Sequence, residues 1–321
     1  MNALAGSETA AIKGREGLKA AGKSWVASVY RDHRPLEAVW RRLEAEGYCT
    51  PFQTYDWASC WYETAVAHGL AEPVIAVFSR EGGDPAWILP LCLYRKKGLR
   101  VISFADLGVT DYAAPVIARD APRGRREIEG MIRALLGALP SCDLVHFQKL
   151  PAEIEGVSNP LLVRRHWRFP ANCYGIRLSG PWQEQAEKIM QRRLRSTIRK
   201  QKRRIAGKGT VSISEVDRPE ALRPALDTLM SMRRTRFEAI GRADMPAAWH
   251  EFYYRLATCP KRTLGVSVTT LEVAGEPVAT CFGLKRRGAY LAILPSFAMG
   301  EWETFRPGML LFDAMLERHA E

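Results

Sequence analysis

The alternation of apolar and polar positions near the end of the chain predicts three consecutive strands and a helix. Extended apolar runs lie at 271–273, 277–284 and 289–296, separated by the turn signals Ala274-Gly-Glu276 and Lys285-Arg-Arg-Gly288. The predicted helix at 306–318 carries proline in its first turn and is apolar on most of its circumference. Because Gly308 lies at its start, we expect free backbone N–H groups there to bind an anion such as a pyrophosphate, which indicates a phosphate-bearing cofactor.

Similar alternation runs through the rest of the chain. The first half predicts a strand, two helices, three strands, an extended segment, a helix and a last strand, at 25–30, 36–48, 54–68, 73–78, 85–94, 100–104, 112–117, 124–139 and 143–148. The second half begins again with a strand at 173–178, a helix at 181–206, a strand at 211–216, and helices at 219–240 and 246–257. The two halves therefore share one order of elements.

This repeated order predicts two tandem domains of the α/β (α+β) class, each a mixed, mainly antiparallel sheet flanked by helices. Proline and glycine in 151–172 are typical of a linker. We therefore place the domains at 24–150 and 173–321, after a disordered tail at 1–23. The second half stops where its last strand would begin. We expect the strand starting at Ala289 to have an unpaired edge, and the natural protein to continue with a further strand.

Composition indicates a globular protein. The chain has 321 residues, of which 47% are apolar, enough to form two cores. No stretch approaches the ~20 apolar residues of a membrane-spanning helix, and the start of the chain lacks the apolar centre of a secretory signal, so we expect a cytoplasmic protein. The cysteines form no Cys-x-x-Cys pair and are expected to be reduced core residues, and the scattered histidines argue against a structural metal.

Positive charge is concentrated in one segment. The net charge is +12, and the segment 188–208 contains ten basic residues and no acidic one. Three interpretations remain open: a solvated helix face, a docking strip for a phosphate-rich cofactor or an anionic membrane surface, and a track for tRNA. A solvated face usually carries both signs of charge. Single-stranded nucleic acid usually stacks on aromatic side chains, which are absent from 183–209.

Five short sequence strings occur in an order and spacing that narrow the choice of protein family. They are Phe52-Gln-Thr-Tyr-Asp-Trp57, Leu107-Gly-Val-Thr-Asp-Tyr112, the arginine-rich helix at 192–204, Arg236-Phe-Glu-Ala-Ile-Gly241 and Phe305-Arg-Pro-Gly-Met-Leu-Leu311. From residue 24 onward the chain resembles the GNAT superfamily of N-acyltransferases, and within it the CelD-like acetyltransferases of cellulose and exopolysaccharide biosynthesis. It is also similar to the FemAB-type aminoacyltransferases, which pair two GNAT-like domains and use aminoacyl-tRNA as donor.

The resemblance implies transfer of an acetyl or longer acyl group from acyl-CoA, without a metal, to an amine or hydroxyl acceptor. The acceptor would be a small molecule or a glycan precursor of the cell envelope or of an exopolysaccharide. The acyl-CoA would contact Leu294, Gly308, Met309 and Leu310. The alternatives are a FemAB-like aminoacyltransferase and a GNAT-like scaffold without catalysis. This chain departs from the usual pyrophosphate loop, Gln/Arg-x-x-Gly-x-Gly/Ala, because only the central glycine, Gly308, matches.

Direct acyl transfer needs a base for the proton of the acceptor and a proton donor for the leaving thiolate. We assign these roles to Glu238 and Tyr290, whose structural alternatives are an ion pair on a basic helix and an aromatic residue on a sheet face. Asp111 and Tyr112, in a Gly/Thr loop, are predicted to bind substrate, although such an aspartate is often a turn residue. Arg236 is predicted to hold a carboxylate or phosphate of a substrate. His250 is also a candidate by residue type, but it is expected to be a surface residue of a helix.

Overall fold

The computed structural model describes residues 25–80, 82–163, 165–260 and 262–320. The chain forms two compact units that divide between Pro170 and Ala171. Each unit is a sheet with helices packed on it, as the sequence predicts. The expected disordered tail at 1–23 lies outside the described residues.

The first unit is built on a mixed sheet in the order β1-β2-β3-β4-β6, with the short β5 beside β3. All neighbouring strands are antiparallel except β4 and β6, which are parallel. Strand β3 is buried from Ala86 to Leu93, as expected of a central strand covered on both faces. The elements are β1 (Trp25–Tyr30), α1 (Glu37–Glu46), α2 (Tyr55–Ala67), β2 (Glu72–Arg80), β3 (Pro85–Lys96), β4 (Leu99–Phe104), β5 (Val116–Ile117), α3 (Arg125–Ala138), β6 (Leu144–Val145), β7 (Glu153–Ile154) and β8 (Val157–Ser158).

The predicted linker contributes to the first unit. Strands β7 and β8 form a hairpin, and a 3₁₀ turn follows at Pro160–Val163. Ile154 and Leu161 are buried in the core of this unit. The irregular connection between the units is therefore shorter than the proline and glycine content suggests.

The second unit has an antiparallel sheet in the order β12-β11-β10-β9. Helices α5 and α8 enclose a core that includes Ile198, Ile205 and Leu311. The elements are α4 (Trp182–Ile189), α5 (Arg192–Ala206), β9 (Val211–Val216), α6 (Pro219–Ala239), α7 (Ala247–Thr258), β10 (Gly265–Val273), β11 (Glu276–Arg286), β12 (Ala289–Phe297) and α8 (Pro307–Ala320).

Two predictions for the start of the second unit are wrong. The segment 173–178 is irregular, and Tyr174 is 90% exposed, because no strand edge of the sheet receives it. The predicted helix at 181–206 is two helices, because Met190 and Gln191 adopt extended backbone conformations between them. The sheet of this unit therefore begins at β9. Cys173 is exposed and not a core residue.

A buried carboxylate attaches α4 and α5 to α8. The Asp313 side chain accepts a hydrogen bond from Trp182 Nε1 at 2.8 Å and forms an ion pair with Lys202 Nζ at 2.7 Å. Although burial opposes the charged form of Lys202, the hydrogen bond from its ammonium to Asp313 raises its pKa above the ordinary value. One side chain thus fixes three helices.

Strand β12 pairs only with β11 among the described strands, so the expected unpaired edge is confirmed. In the first unit, the corresponding strand β4 has β6 as its parallel neighbour. Phe282 pairs with Leu294 and Gly283 with Ala292, which leaves Ile293 as the extra residue of a β-bulge. The bulge and the open edge occur together in β12.

Gly283 in β11 provides the space for a neighbouring ring. A Cβ atom built on Gly283 would lie 2.1 Å from Tyr290 Oη, which is inside van der Waals contact. The Tyr290 ring therefore crosses β11 only because this residue has no side chain.

We predict that Gly283→Ala lowers the free energy of unfolding by about 1 to 3 kcal/mol, because the new methyl group displaces the ring. Tyr290→Ala should remove most of this penalty, so a double-mutant cycle measured by chemical denaturation should show strong coupling. Gly137→Ala is the control, because a Cβ there meets nothing within 4 Å in α3. It should be neutral or stabilising. Equal losses at Gly283 and Gly137 would contradict the steric explanation.

Candidate functional site

The connection from β12 to α8 is short and firmly held. It passes through a 3₁₀ helix at Gly300–Phe305 and then Arg306, whose φ of 55° lies in the left-handed region. Trp302 Nε1 donates to Glu276 Oε1 at 3.1 Å. Arg204 of α5 donates to the Thr304 carbonyl at 3.2 Å and lies over the Phe305 ring. The sheet and α5 together fix where α8 begins.

Gly308 lies against an aromatic ring at the end of β12. A Cβ on Gly308 would be 3.1 Å from Cδ1 of Phe297, which is closer than most such contacts. The guanidinium of Arg236, in α6, lies 4.4 Å from the centroid of the same ring. The structure therefore brings together Arg236 and Gly308, two residues that the sequence assigned to substrate and cofactor binding.

The backbone N–H groups at the start of α8 are only partly available. Met309 N and Leu310 N both donate to the Arg306 carbonyl, at 3.0 and 3.3 Å. Pro307 has no N–H, so Gly308 provides the one amide of this turn without an acceptor in the described part of the chain. Of the backbone N–H groups expected to be free at the start of this helix, that of Gly308 is therefore the candidate for binding an anion. The exposed Arg306 side chain stands beside it.

The remaining residues predicted to bind the cofactor pack in the interior. Leu310 is 3% exposed and belongs to the core beneath α8, and Leu294 is 7% exposed. Met309 is half-buried against the same core. In these positions they shape the protein around the site, and only their backbone atoms are candidates for direct contact.

Tyr290 does not present its hydroxyl to solvent. The Oη atom is buried beside the hydroxyls of Ser267 and Thr269, and the ring centroid lies 4.4 Å from that of His319. Burial raises the pKa of the Tyr290 phenol well above its ordinary value. The assignment as proton donor to a leaving thiolate is not supported, because the hydroxyl lies between the sheet and α8.

Glu238 is exposed near the end of α6. The expected ion pair on the same helix does not form with Arg233, which instead binds Asp244 with 2.6 Å between Nε and Oδ1. The other oxygen of Asp244 lies 3.3 Å from Nε2 of His250, in α7. Arg233 and Arg236 are three residues apart on α6 and lie on one face. The Asp244–His250 pair therefore contacts α6 about one helical turn from Arg236.

Sequence reasoning treated His250 as a surface residue. The structure half-buries it and gives it a carboxylate partner. No sequence signal identifies this pair, because Asp244 lies in the irregular connection between α6 and α7. The two atoms are close but do not form a hydrogen bond in this structure, so His250 is a candidate for a general base by its proximity to a carboxylate.

The first unit contains a separate cavity of about 300 Å³, where the pairing of β4 and β6 ends. The last pairs are Val101 with Leu144 and Ile102 with Val145. The cavity is lined by Tyr94, Lys96, Ser103, Phe104, Asp106, Leu107, Gly108, Ala113 and Gln148. It has the hydroxyl, carboxylate, amide and ammonium groups that can bind a polar small molecule.

Asp106 organises the loop beside this cavity. Its carboxylate accepts hydrogen bonds from the N–H groups of Gly108 and Thr110, both at 2.9 Å, and pairs with Lys149 Nζ at 2.8 Å. These bonds hold Leu107 in a left-handed conformation, with φ of 46°. The sequence signal was an aspartate two residues before a glycine, which is typical of an Asx turn.

Asp111 and Tyr112 lie on the same loop but do not line the cavity. The Asp111 residue is exposed, but the surrounding loop partly desolvates its carboxyl and so raises its pKa. Lys149 opposes this shift and Asp106 adds to it. The Tyr112 carbonyl accepts a hydrogen bond from Gln53 Nε2 at 2.9 Å. Their assignment to substrate binding stays a prediction.

Within the described residues, no group of three or more histidine, cysteine, aspartate or glutamate side chains is placed to hold a metal ion. None of the helices in this part of the chain has both the length and the apolar character needed to cross a membrane.

Comparison with known proteins shows what the second unit, and the chain as a whole, are similar to. Residues 192–321 match the family model described as "Acetyltransferase (GNAT) domain". No curated protein matches the chain. Five chains of solved structures match, and one, described as "Crystal structure of FemX", aligns over 90% of this chain and 84% of its own with 10% identity and a TM-score of 0.54. This likeness shows the shared fold. The findings together support the GNAT superfamily and acyl transfer in general.

We predict that Asp106→Ala lowers the free energy of unfolding by about 2 to 4 kcal/mol, because it leaves a lysine and two amides without their buried acceptor. Chemical denaturation measures the change. Asp84→Ala is the matched control, since this carboxylate is 85% exposed in its pair with Arg42. Asp84→Ala should lower the free energy of unfolding by less than about 0.5 kcal/mol. A loss at Asp106 no larger than at Asp84 would mean that the loop is held by other contacts.

Proposed function

We propose that the protein is an acyltransferase that uses acyl-CoA as donor and an amine or hydroxyl group as acceptor. The observation that carries this proposal is the start of α8, where Gly308, Phe297 and Arg236 meet inside the segment matched by the acetyltransferase model. The positive end of the helix dipole, the Gly308 amide and neighbouring guanidinium groups all favour an anion.

The diphosphate of CoA would be held mainly by side chains. With a single amide available, Arg306 and Arg236 supply the additional positive charge, and a guanidinium binds phosphate oxygens through two parallel hydrogen bonds. The usual pyrophosphate loop has Gln or Arg before the central glycine and a second Gly or Ala after it. This chain lacks both, and the arginine side chains would compensate by binding the pyrophosphate.

The open edge of β12 suits the pantetheine arm. This arm contains amide groups, and an unpaired strand edge offers N–H and C=O groups in a row. The bulge at Ile293 interrupts the regular pairing within the same strand. We propose that the arm extends along this edge from the α8 start.

Acyl transfer then requires a base. An amine nitrogen attacks the thioester carbonyl, a C–N bond forms, the C–S bond breaks, and the amine loses a proton while the thiolate of CoA gains one. We propose that His250 takes the amine proton on its free ring nitrogen while Asp244 stabilises the imidazolium. Glu238, exposed near the end of α6, is the alternative base.

A FemAB-like aminoacyltransferase is the second candidate. The observation that favours it is the FemX-like fold over 90% of the chain, together with the basic helix α5. Binding of tRNA at low salt, weakening with added salt by a slope of roughly 0.7 to 0.9 per phosphate contacted, would support it. A third candidate, a scaffold without catalysis, would bind CoA without turnover. The CelD-like and exopolysaccharide assignment remains a narrower proposal from the sequence resemblance.

We predict that acetyl-CoA raises the melting temperature of the full chain, since a ligand at about 100 times its Kd adds about 2.7 kcal/mol. Arg236→Gln should raise the Kd for CoA about 10-fold or more by removing a charge-assisted contact. Arg234→Gln, an exposed position two residues away on α6, is the matched control and should change the Kd little. Gly308→Glu should abolish binding.

Unchanged CoA affinity in both Arg236→Gln and Gly308→Glu would overturn the donor site. Circular dichroism and the melting temperature of each variant without ligand separate this result from a loss of folding.

We predict that His250→Gln lowers kcat by about 10²- to 10⁴-fold without changing the Kd for CoA, because it removes the base but not the donor site. The assay is thiol release from acetyl-CoA, with an amine that the unchanged protein acetylates. Glu238→Gln is the comparison. A large loss of kcat in Glu238→Gln and none in His250→Gln would reverse the assignment of the base.

A further inference from the structure

The basic residues of α5 fall into two sets. One set is engaged by the protein: Lys202 binds Asp313, Arg204 binds Thr304, and Arg195 reaches the Ala186 carbonyl. Lys202 and Arg204 brace α8 and the segment before it, and Arg195 contacts α4. These side chains already have partners within the chain.

The second set is an exposed stripe on the opposite side of the helix. At 100° per residue, its positions lie within an arc of roughly 120° that faces away from the buried Ile198 and Ile205. None of its side chains has an acidic partner among the described residues. We call this set the α5 cationic stripe, and it comprises Arg192, Arg193, Arg199, Lys200 and Arg203.

An unpaired stripe of one sign is electrostatically unfavourable by itself. Like charges three or four residues apart on a helix destabilise it, as between Arg199 and Arg203. The remaining position of the arc is Ser196, so no carboxylate interrupts the row. A polyanionic surface relieves this repulsion, whereas a single small anion neutralises only part of it.

The neighbouring side chains favour a lipid surface over nucleic acid. Ile189, the last residue of α4 and three positions before α5 begins, is 57% exposed. Aliphatic side chains beside cations are suited to the boundary between head groups and acyl chains. Residues 183–210 contain no aromatic side chain on which bases would stack.

We propose that the α5 cationic stripe docks the second unit on an anionic phospholipid surface. The arginine and lysine side chains bind the lipid phosphates, and Ile189 enters the interface. Each basic residue near such a surface strengthens binding about fivefold, so the row gives reversible attachment that depends on salt.

The test is sedimentation of the full chain with vesicles of about 30 mol% phosphatidylglycerol in phosphatidylcholine, compared with phosphatidylcholine alone. The unchanged protein should bind only the anionic vesicles, and should release them between about 50 and 500 mM salt. The triple variant Arg192→Gln, Arg199→Gln, Arg203→Gln should bind about 100-fold more weakly.

The control removes three positive charges elsewhere in the second unit, at the exposed Arg218, Arg234 and Arg242. It should keep binding within about fivefold. The variant Arg192→Lys, Arg199→Lys, Arg203→Lys keeps the charge and should retain binding, which separates charge from helix stability. Ile189→Ser should weaken binding mainly at high salt.

No binding to anionic vesicles at low salt would overturn the proposal. Equal losses in the stripe variant and the control would also overturn it, since net charge alone would then explain binding. Tight binding of tRNA through the stripe, without vesicle binding, would replace the lipid surface with RNA.

Discussion

The second unit depends on the buried carboxylate of Asp313. Helix α8 is otherwise largely apolar, and a charge in its middle is costly unless other groups satisfy it. Trp182 and Lys202 do so, which determines where α4 and α5 pack. With α5 placed, Arg204 reaches the segment that leads into α8. The carboxylate of Asp313 therefore links α8, which forms the candidate donor site, to α5, which carries the cationic stripe.

The sequence predicted elements well where local chemistry determines them. The turns on either side of β11 follow from glycine, and each turn contains a left-handed residue, as at Gly275 and Gly288. The open edge of β12 followed from counting strands. The strand predicted at 173–178 does not form, because alternation of apolar and polar residues does not by itself provide a neighbouring strand to pair with. The helix break at Gln191 was missed because neither proline nor glycine signals it.

The candidate site was only partly predictable, since its contacts are long-range. Gly308 was identified for its amides, yet its absent side chain mainly accommodates Phe297, which no local pattern indicates. The stacking of Arg236 on that ring and the pairing of Asp244 with His250 join separate elements. Burial of the Tyr290 hydroxyl depends on the glycine in the neighbouring strand. The sequence therefore identified the types of residue at the site, but the contacts between them are set by the fold and could not be predicted.

The left-handed backbone of Arg306 has a consequence for how this protein tolerates change. A residue with a side chain pays about 1 to 2 kcal/mol for that conformation, which glycine adopts freely. The most stabilising substitution at this position thus removes a guanidinium from the entrance to α8. With the proposed donor site, selection for thermal stability and selection for anion affinity act on this position in opposite directions, a stability–activity trade-off confined to one residue.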